Sequence, residues 1–336
     1  MSPSVSEVVR DASMLLHEID PAQRLLVFRQ ASEQSIRSAA FIDGRTDIWA
    51  GPPIALPFSA AAEATTRPAF AVRYIFHMSF CGSTLLARLL DRPGKVLSLK
   101  EPNCLVDLAD WRAAFSSANA SSSDFNAILP FAARMLSRVW SNDEQVVVKP
   151  SSWANNLIGD LLAAADARAV FVTIARDRFL EAVLRGGRDR LTFTARLAAH
   201  LSSSVDGGSD LVEQAIQSTD DPVGKAARLA LVAHHLELQA FGHAMVPEPE
   251  GARVDFAEIE SEPANAASRA AEILFLNLDQ SDFDANCERW MRENAKADAV
   301  YSERQRRTEN EQVRAHFGEL IDGALKWSEG ALCAGE

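Results

Sequence analysis

The stretch that most restricts this chain is the run Val72, Arg73, Tyr74, Ile75, Phe76 leading into His77, Met78, Ser79, Phe80, Cys81, Gly82, Ser83 and Thr84, followed by Leu85, Leu86, Ala87, Arg88, Leu89 and Leu90. A β-prone apolar run, a turn of small residues and an apolar helical start form a strand, a loop and a helix N-terminus. That arrangement aims backbone N–H groups at an anion. Gly82 permits close approach of the backbone, and Ser83 and Thr84 add hydroxyls at the positive end of the helix. The loop departs from G-x-x-x-x-G-K-[ST], which would need Gly where His77 stands and Lys where Ser83 stands. The missing Lys argues against ATP hydrolysis. Gly-Ser-Thr at a helix start is also a common simple cap, so the surroundings decide between the two readings.

Those surroundings alternate. Short β-like runs at 71–76, 95–99, 145–148, 169–174 and 253–256 are separated by helical patterns at 84–90, 125–140, 153–164 and a long helical region over 179–245. This predicts an α/β fold with a parallel sheet. Val146, Val147 and Val148 read as a strand buried on both faces. The Ser- and Gly-rich stretch 202–210 is expected to interrupt the long helical region. Ahead of the alternation, residues 1–68 form an N-terminal appendage of unknown role, with a weak helical pattern, a short run Leu25, Leu26, Val27, Phe28, a Pro-rich stretch and a linker near 60–66. The main domain is expected to span 69–330.

With 336 residues and a formal charge of −12, the surface repels polyanions. An anionic ligand has to be gathered locally by Arg, Lys or backbone N–H groups, and no nucleic-acid partner is expected. Cys81, Cys104, Cys287 and Cys333 lie apart from one another, which suits free thiols rather than a metal or redox pair. His234, His235 and Glu237 lack a third ligand at helical spacing, so no metal is assigned. No run reaches the roughly 20 apolar residues of a membrane span, and the first residues lack a signal-peptide core. The expectation is a soluble, cytoplasmic protein with no membrane partner, its oligomeric state open to a homodimer.

Cys81, Gly82, Ser83, Thr84, Leu85 and Leu86 after a strand resemble the loop of the bacterial sulfotransferases, usually Arg-Ser-Gly-Ser-Thr-Leu-Leu. The resemblance runs on through later positions as far as about residue 327. It implies a P-loop, sulfotransferase-like three-layer fold with a long helical insertion, and 3′-phosphoadenosine 5′-phosphosulfate as co-substrate with no metal. In such a protein Ser79 to Thr84, including Phe80, Cys81, Gly82 and Ser83, cradle the phosphosulfate. Glu101, after the second strand, matches the base that deprotonates the acceptor, Lys149 the cation near the transferring group, and Arg176 the contact to the 3′-phosphate. Tyr301, Ser302, Arg304, Arg306 and Arg307 resemble the basic C-terminal loop. Two positions depart from the family pattern: its loop cation falls on Phe80, and the Ser that partners the 3′-phosphate Arg falls on Leu184.

Sulfuryl transfer asks for alignment of an acceptor, removal of its proton and stabilisation of charge on the leaving oxygens. Glu101 stands at a strand end, where open α/β sheets bind ligands, and burial there is expected to raise its pKa toward that of a base. Lys149 is expected to emerge at the same sheet edge. Arg176 offers a planar fork to a phosphate, Arg185, Arg188 and Arg190 follow it closely enough to substitute for missing cations, and His77 ends the first strand as a further acid, base or ligand. Each has a plain alternative: Glu101 pairing with Lys100, Lys149 solvated, Arg176 paired with Asp177 or Glu181, and the later arginines on a solvated helix face. The function expected is transfer of a sulfuryl group to a hydroxyl or amine of a small-molecule acceptor. The rivals are a divergent kinase-like phosphotransferase and a nucleotide-binding scaffold without turnover.

Overall fold

The runs read as strands do pair with one another, and their apolar side chains fill the centre of the protein. In a computed structural model, residues 4–60, 71–115, 122–141, 143–244, 252–290 and 303–332 are described. In chain order the elements are α1 (Val5–Arg10), β1 (Met14–Asp20), β2 (Leu25–Gln30), α2 (Glu33–Ser38), β3 (Ala50–Pro57), β4 (Ala71–His77), α3 (Ser83–Leu90), β5 (Val96–Lys100), α4 (Asn103–Ala114), α5 (Ser122–Leu136) and β6 (Gln145–Lys149). After the 3-10 turn Ser152–Leu157 come α6 (Ile158–Ala163), β7 (Asp166–Thr173), α7 (Arg176–Arg185), α8 (Gly187–Ser202), α9 (Gly208–Gln217), α10 (Pro222–Ala244), β8 (Arg253–Asp255), α11 (Phe256–Ser261), α12 (Pro263–Leu274), α13 (Gln280–Trp290) and α14 (Glu303–Leu332).

The main sheet has the order β5-β6-β4-β7-β8, with every neighbouring pair parallel. β4 is central and buried from Tyr74 to His77. Tyr74, Phe76 and Phe171 stack in a line, with ring centroids 5.1 and 5.7 Å apart. α3, α12 and α13 pack together on one set of strand contacts, while α6 and the 3-10 turn take another. Parallel strands need crossovers, and crossovers cover both faces with helices. This is the expected three-layer α/β arrangement. The helical insertion between β7 and β8 comprises α7 to α10, and α8 stops at Ser202 as the Ser- and Gly-rich stretch predicts. No helix among the described residues is long and apolar enough to cross a membrane. The linker expected near 60–66 lies outside the described residues, apart from the buried Ala60.

Residues 4–60 hold their own antiparallel sheet, β1-β2-β3. The weak helical pattern read there resolves into the short helices α1 and α2 and the three strands of this sheet. The reason is local: Met14, Leu15 and Leu16 form a short apolar run, which periodicity cannot tell from a helix segment. The unit is pinned to the later part of the chain by cations that meet helix ends. Arg138 Nη1 donates to the carbonyls of Val8 and Val9 at 3.0 Å each, at the C-terminus of α1. Lys100 donates to Ile36 and Arg37 at 3.2 and 3.4 Å, and Arg88 to Arg37 and Ser38 at 3.3 and 3.1 Å, at the C-terminus of α2. The last carbonyls of a helix have no partner within it, and a cation there meets both the hydrogen-bonding need and the negative end of the dipole.

Candidate functional site

β4 delivers the loop. Two of its residues take left-handed backbone, Phe80 at φ +65° and Gly82 at φ +77°, on either side of Cys81. Such turns direct successive N–H groups into one concavity. Gly82 is the N-cap of α3 and brings no side-chain acceptor to it, so the helix start faces the loop uncapped by a hydroxyl or carboxylate. Ser79 Oγ lies 2.8 Å from Ser152 Oγ, and Ser83 and Thr84 are buried. A Cβ on Gly82 would stand 3.1 Å from Phe256 Cδ2 and 3.4 Å from Ile259 Cγ2. Gly82→Ala is therefore expected to cost about 2 kcal/mol, chiefly the penalty for an L-residue in left-handed backbone. Urea unfolding checks this, and a loss under 0.5 kcal/mol (roughly the surface-substitution level) would mean the loop tolerates reshaping.

Beside the loop, at the carboxyl ends of β4, β5 and β6, three expected residues meet. Lys149 Nζ lies 2.6 Å from Glu101 Oε1 and 3.0 Å from His77 Nε2, and Lys149 is fully buried. His77 Nδ1 lies 2.9 Å from the Met78 carbonyl, and the Pro150 carbonyl is 2.9 Å from Nε2. Burial first, then the Lys149 charge, lowers the His77 pKa to about 3, so the ring is neutral near pH 7. With its one N–H placed on Nδ1, it donates to Met78 and leaves Nε2 to accept from Lys149. His77 thus faces Lys149 as a prop, which is a different duty from carrying protons. Behind it, Asn155 donates to the His77 carbonyl at 3.1 Å and to Glu237 Oε1 at 3.0 Å. Burial raises Glu237 well above the usual carboxylate range. His234 Nε2 lies 2.9 Å from the Ile174 carbonyl, so this His and this Glu brace the core beneath the loop.

Glu101 corrects one expectation. Burial does push its pKa up, but the Lys149 ammonium, by its charge and its hydrogen bond, and the Arg45 guanidinium outweigh that and hold it at about 2. A paired carboxylate is favoured in its charged form. The plain alternative of a Glu101–Lys100 pair is also set aside, since Lys100 turns to the carbonyls of Ile36, Arg37 and Ser98. Glu101 itself sits at φ +57°, its N–H donating to the Lys149 carbonyl at 2.7 Å. Left-handed backbone at a non-glycine residue costs of order 1 kcal/mol or more and persists where the surroundings hold it.

The second clamp on Glu101 comes from a part of the chain that the sequence leaves without a role. Arg45 Nη2 is 2.9 Å from Glu101 Oε2 and its guanidinium lies 3.9 Å from the centroid of the Phe41 ring, while Lys149 Nζ is 5.9 Å from that centroid. Both oxygens of Glu101 therefore carry a cation, one buried and one reaching in from residues 41–45, which are tied down by Ile42 N–H donating to the Lys100 carbonyl at 2.8 Å. No local pattern announces Arg45, because its partner stands fifty-six positions away.

The arginines divide. Arg176 opens α7 and donates from Nη1 to Ser328 Oγ at 3.2 Å. Leu184, where a Ser partner was missed in the sequence, is buried in the core, and a Ser from α14 reaches Arg176 instead. Arg185 is directed to α14, where Asn310 accepts from it and Glu309 lies 4.0 Å away. Arg190 crosses back onto the loop, its guanidinium 4.7 Å from the Phe80 ring centroid. Arg304 and Arg307 fall at the start of α14 with side chains outside the described residues, as do Tyr301 and Ser302 entirely. Among the described residues no cluster of three His, Cys, Asp or Glu side chains could hold a metal.

No family model and no curated protein matches the chain. Among solved structures, a sulfotransferase from Alicyclobacillus acidocaldarius aligns over 64% of this chain and 86% of its own, at 12% sequence identity and a TM-score of 0.35. The functional reading accordingly stands on this chain's own residues.

Proposed function

We propose that this protein transfers a sulfuryl group from 3′-phosphoadenosine 5′-phosphosulfate to a hydroxyl or amine of a small molecule. The observation that carries the reading is the Glu101–Lys149–His77 cluster beside a left-handed, N–H-presenting loop at the carboxyl edge of a parallel sheet, where open α/β folds bind ligands. The donor set suits such a co-substrate: loop N–H groups and the Lys149 ammonium for the 5′ end, and the Arg176 fork for a phosphate at the 3′ position. The co-substrate supplies an activated sulfuryl group on a good leaving phosphate.

The chain's own residues supply the rest. Glu101 is ionised and can accept the acceptor's proton on Oε2, the oxygen facing Arg45 and the more open side. Held at a pKa of about 2 it is a weak base. Lys149, on sharing its charge with anionic oxygens in the loop, holds Glu101 less tightly, and the carboxylate's affinity for a proton rises. His77 keeps Lys149 oriented throughout. Arg45 and Phe41 border the acceptor side, which gives residues 4–60 a place in acceptor choice.

A thermal-shift series tests this with 3′-phosphoadenosine 5′-phosphate, AMP, ADP and ATP with magnesium, because a ligand that binds only the folded state raises apparent stability. The expected result is a shift specific to the 3′-phosphorylated nucleotide, reduced by Arg176→Ala. A response confined to ATP with magnesium would turn the reading to a phosphotransferase, and no response to any nucleotide would leave a fold without this chemistry.

A further inference from the structure

The loop has no cation of its own: its basic position is taken by Phe80. Phe80 is also strained, a bulky residue at φ +65°, and such a conformation persists only when neighbours fix it. Two neighbours do. Phe179 of α7 packs on the ring with centroids 5.9 Å apart, and the Arg190 guanidinium lies 4.7 Å from its centroid.

Arg190 reaches that place by a folded-back route. Its Nη1 donates to the Ala182 carbonyl near the end of α7 at 2.9 Å, and its stem runs directly over Gly186. A Cβ on Gly186 would stand 1.8 Å from Arg190 Cδ and 2.2 Å from Nε. Gly186 has φ −78°, which any residue adopts. What requires glycine there is the path of the Arg190 side chain. The neighbouring arginines are committed elsewhere, Arg185 to Glu309 and Asn310 and Arg176 to Ser328. Among the described residues no carboxylate lies within salt-bridge distance of Arg190. Its surroundings lower its pKa by burial, with Glu309 acting weakly the other way. A half-buried guanidinium held beside an N–H-presenting loop, with no carboxylate partner among the described residues, carries charge that an incoming anion can satisfy.

We propose that Arg190, laid across Phe80 through the gap left by Gly186, is the loop's cation supplied from another helix, and that it contacts the phosphosulfate or diphosphate end of the ligand held by residues 79–84. The assignment rests on the reading of the loop given under Proposed function, but it makes a separate claim. The sequence change at Phe80 moves the charge to α8 without removing it, and Phe80 becomes the platform on which the charge is aimed.

Inorganic pyrophosphate is the probe, because it fills the loop end without engaging any nucleoside contact. Its dissociation constant is measured by isothermal titration for the wild type, Arg190→Gln and Gly186→Ala, with circular dichroism to establish folding. Gly186→Ala suits its backbone and leaves Arg190 in the chain, so it separates the position of the charge from its presence. A charge-assisted hydrogen bond of about 1.5 to 3 kcal/mol corresponds to roughly a tenfold to hundredfold weaker dissociation constant in each variant. Binding within about twofold of wild type in Arg190→Gln, or no pyrophosphate binding by the wild type, overturns the proposal. Titration with 3′-phosphoadenosine 5′-phosphate is run in parallel: wild-type protein that binds pyrophosphate with the expected variant losses but ignores the nucleotide keeps Arg190's role and refutes the sulfuryl-transfer reading. Nucleotide binding that is intact in both variants does the reverse.

Discussion

Glu101→Ala is expected to lower the stability of the fold by about 3 to 5 kcal/mol, the usual result of stripping one partner from a buried ion pair. Lys149 is fully buried and would keep the contact with the neutral His77 but lose its carboxylate partner. The reverse change is milder. In Lys149→Met the apolar stem is retained, and Glu101, 13% exposed at its side chain, still has Arg45 2.9 Å away. The order Glu101→Ala worse than Lys149→Met, with the double variant recovering part of the loss, is the signature of an uncompensated buried charge and is read from urea midpoints. Equal costs for the two single variants would mean that the pair is not electrically coupled as described. On the proposed reading of Glu101 as the base, Glu101→Gln keeps the shape and should lower turnover by about 10² to 10⁴ once an acceptor is found.

His77 gives the second large effect, and it depends on pH. Its folded pKa of about 3 lies below the ordinary 6.5, so between those values the unfolded chain binds a proton that the native protein refuses. Stability from this group is complete above pH 6.5 and is lost as pH falls toward 3. Glu101, held at about 2 against an ordinary 4.5, loses its contribution lower, as pH falls from 4.5 toward 2. Other buried groups run the opposite way. Asp107, raised to about 6 by burial, and Glu237, raised well above its ordinary value by burial, hold protons in the native state that the unfolded chain releases, so they add stability on acidification. The total curve therefore mixes signs, and the informative quantity is the stability of wild type minus that of His77→Asn. That difference should shrink by about 3 kcal/mol between pH 7 and pH 4.5. A difference that stays constant across this range would refute the neutral, Lys149-facing ring.

Much of the framework is legible in the sequence because it is carried by short-range signals. Val146 to Val148 and the run around Val170 announce strands buried on both faces, and the Gly-Ser-Thr after Phe76 announces the loop. α4 escaped notice although Pro102 at its N-cap marks a start and Cys104, Leu105, Leu108 and Ala109 recur at helical spacing along its buried face. The candidate site was legible only in part. Glu101, Lys149 and His77 end neighbouring strands, so topology brings them together. Their charge states were not readable, since the pKa of Glu101 depends on Lys149 and Arg45, both distant in sequence. Arg45 and Ser328 escape local reading for the same reason: each matters through a contact with a residue that no spacing rule connects to it.

The caps on α1 and α2 bear on how this protein could be inherited. Arg138, Lys100 and Arg88 belong to the later part of the chain, while the carbonyls they satisfy belong to the earlier part. A recombination event that traded residues 4–60 for those of a distant cousin would strand buried cations on one side and bare helix ends on the other, and would take Arg45 from Glu101 as well. The two stretches are therefore expected to tolerate point changes around Phe41 and Arg45 more readily than exchange of the whole module that carries them.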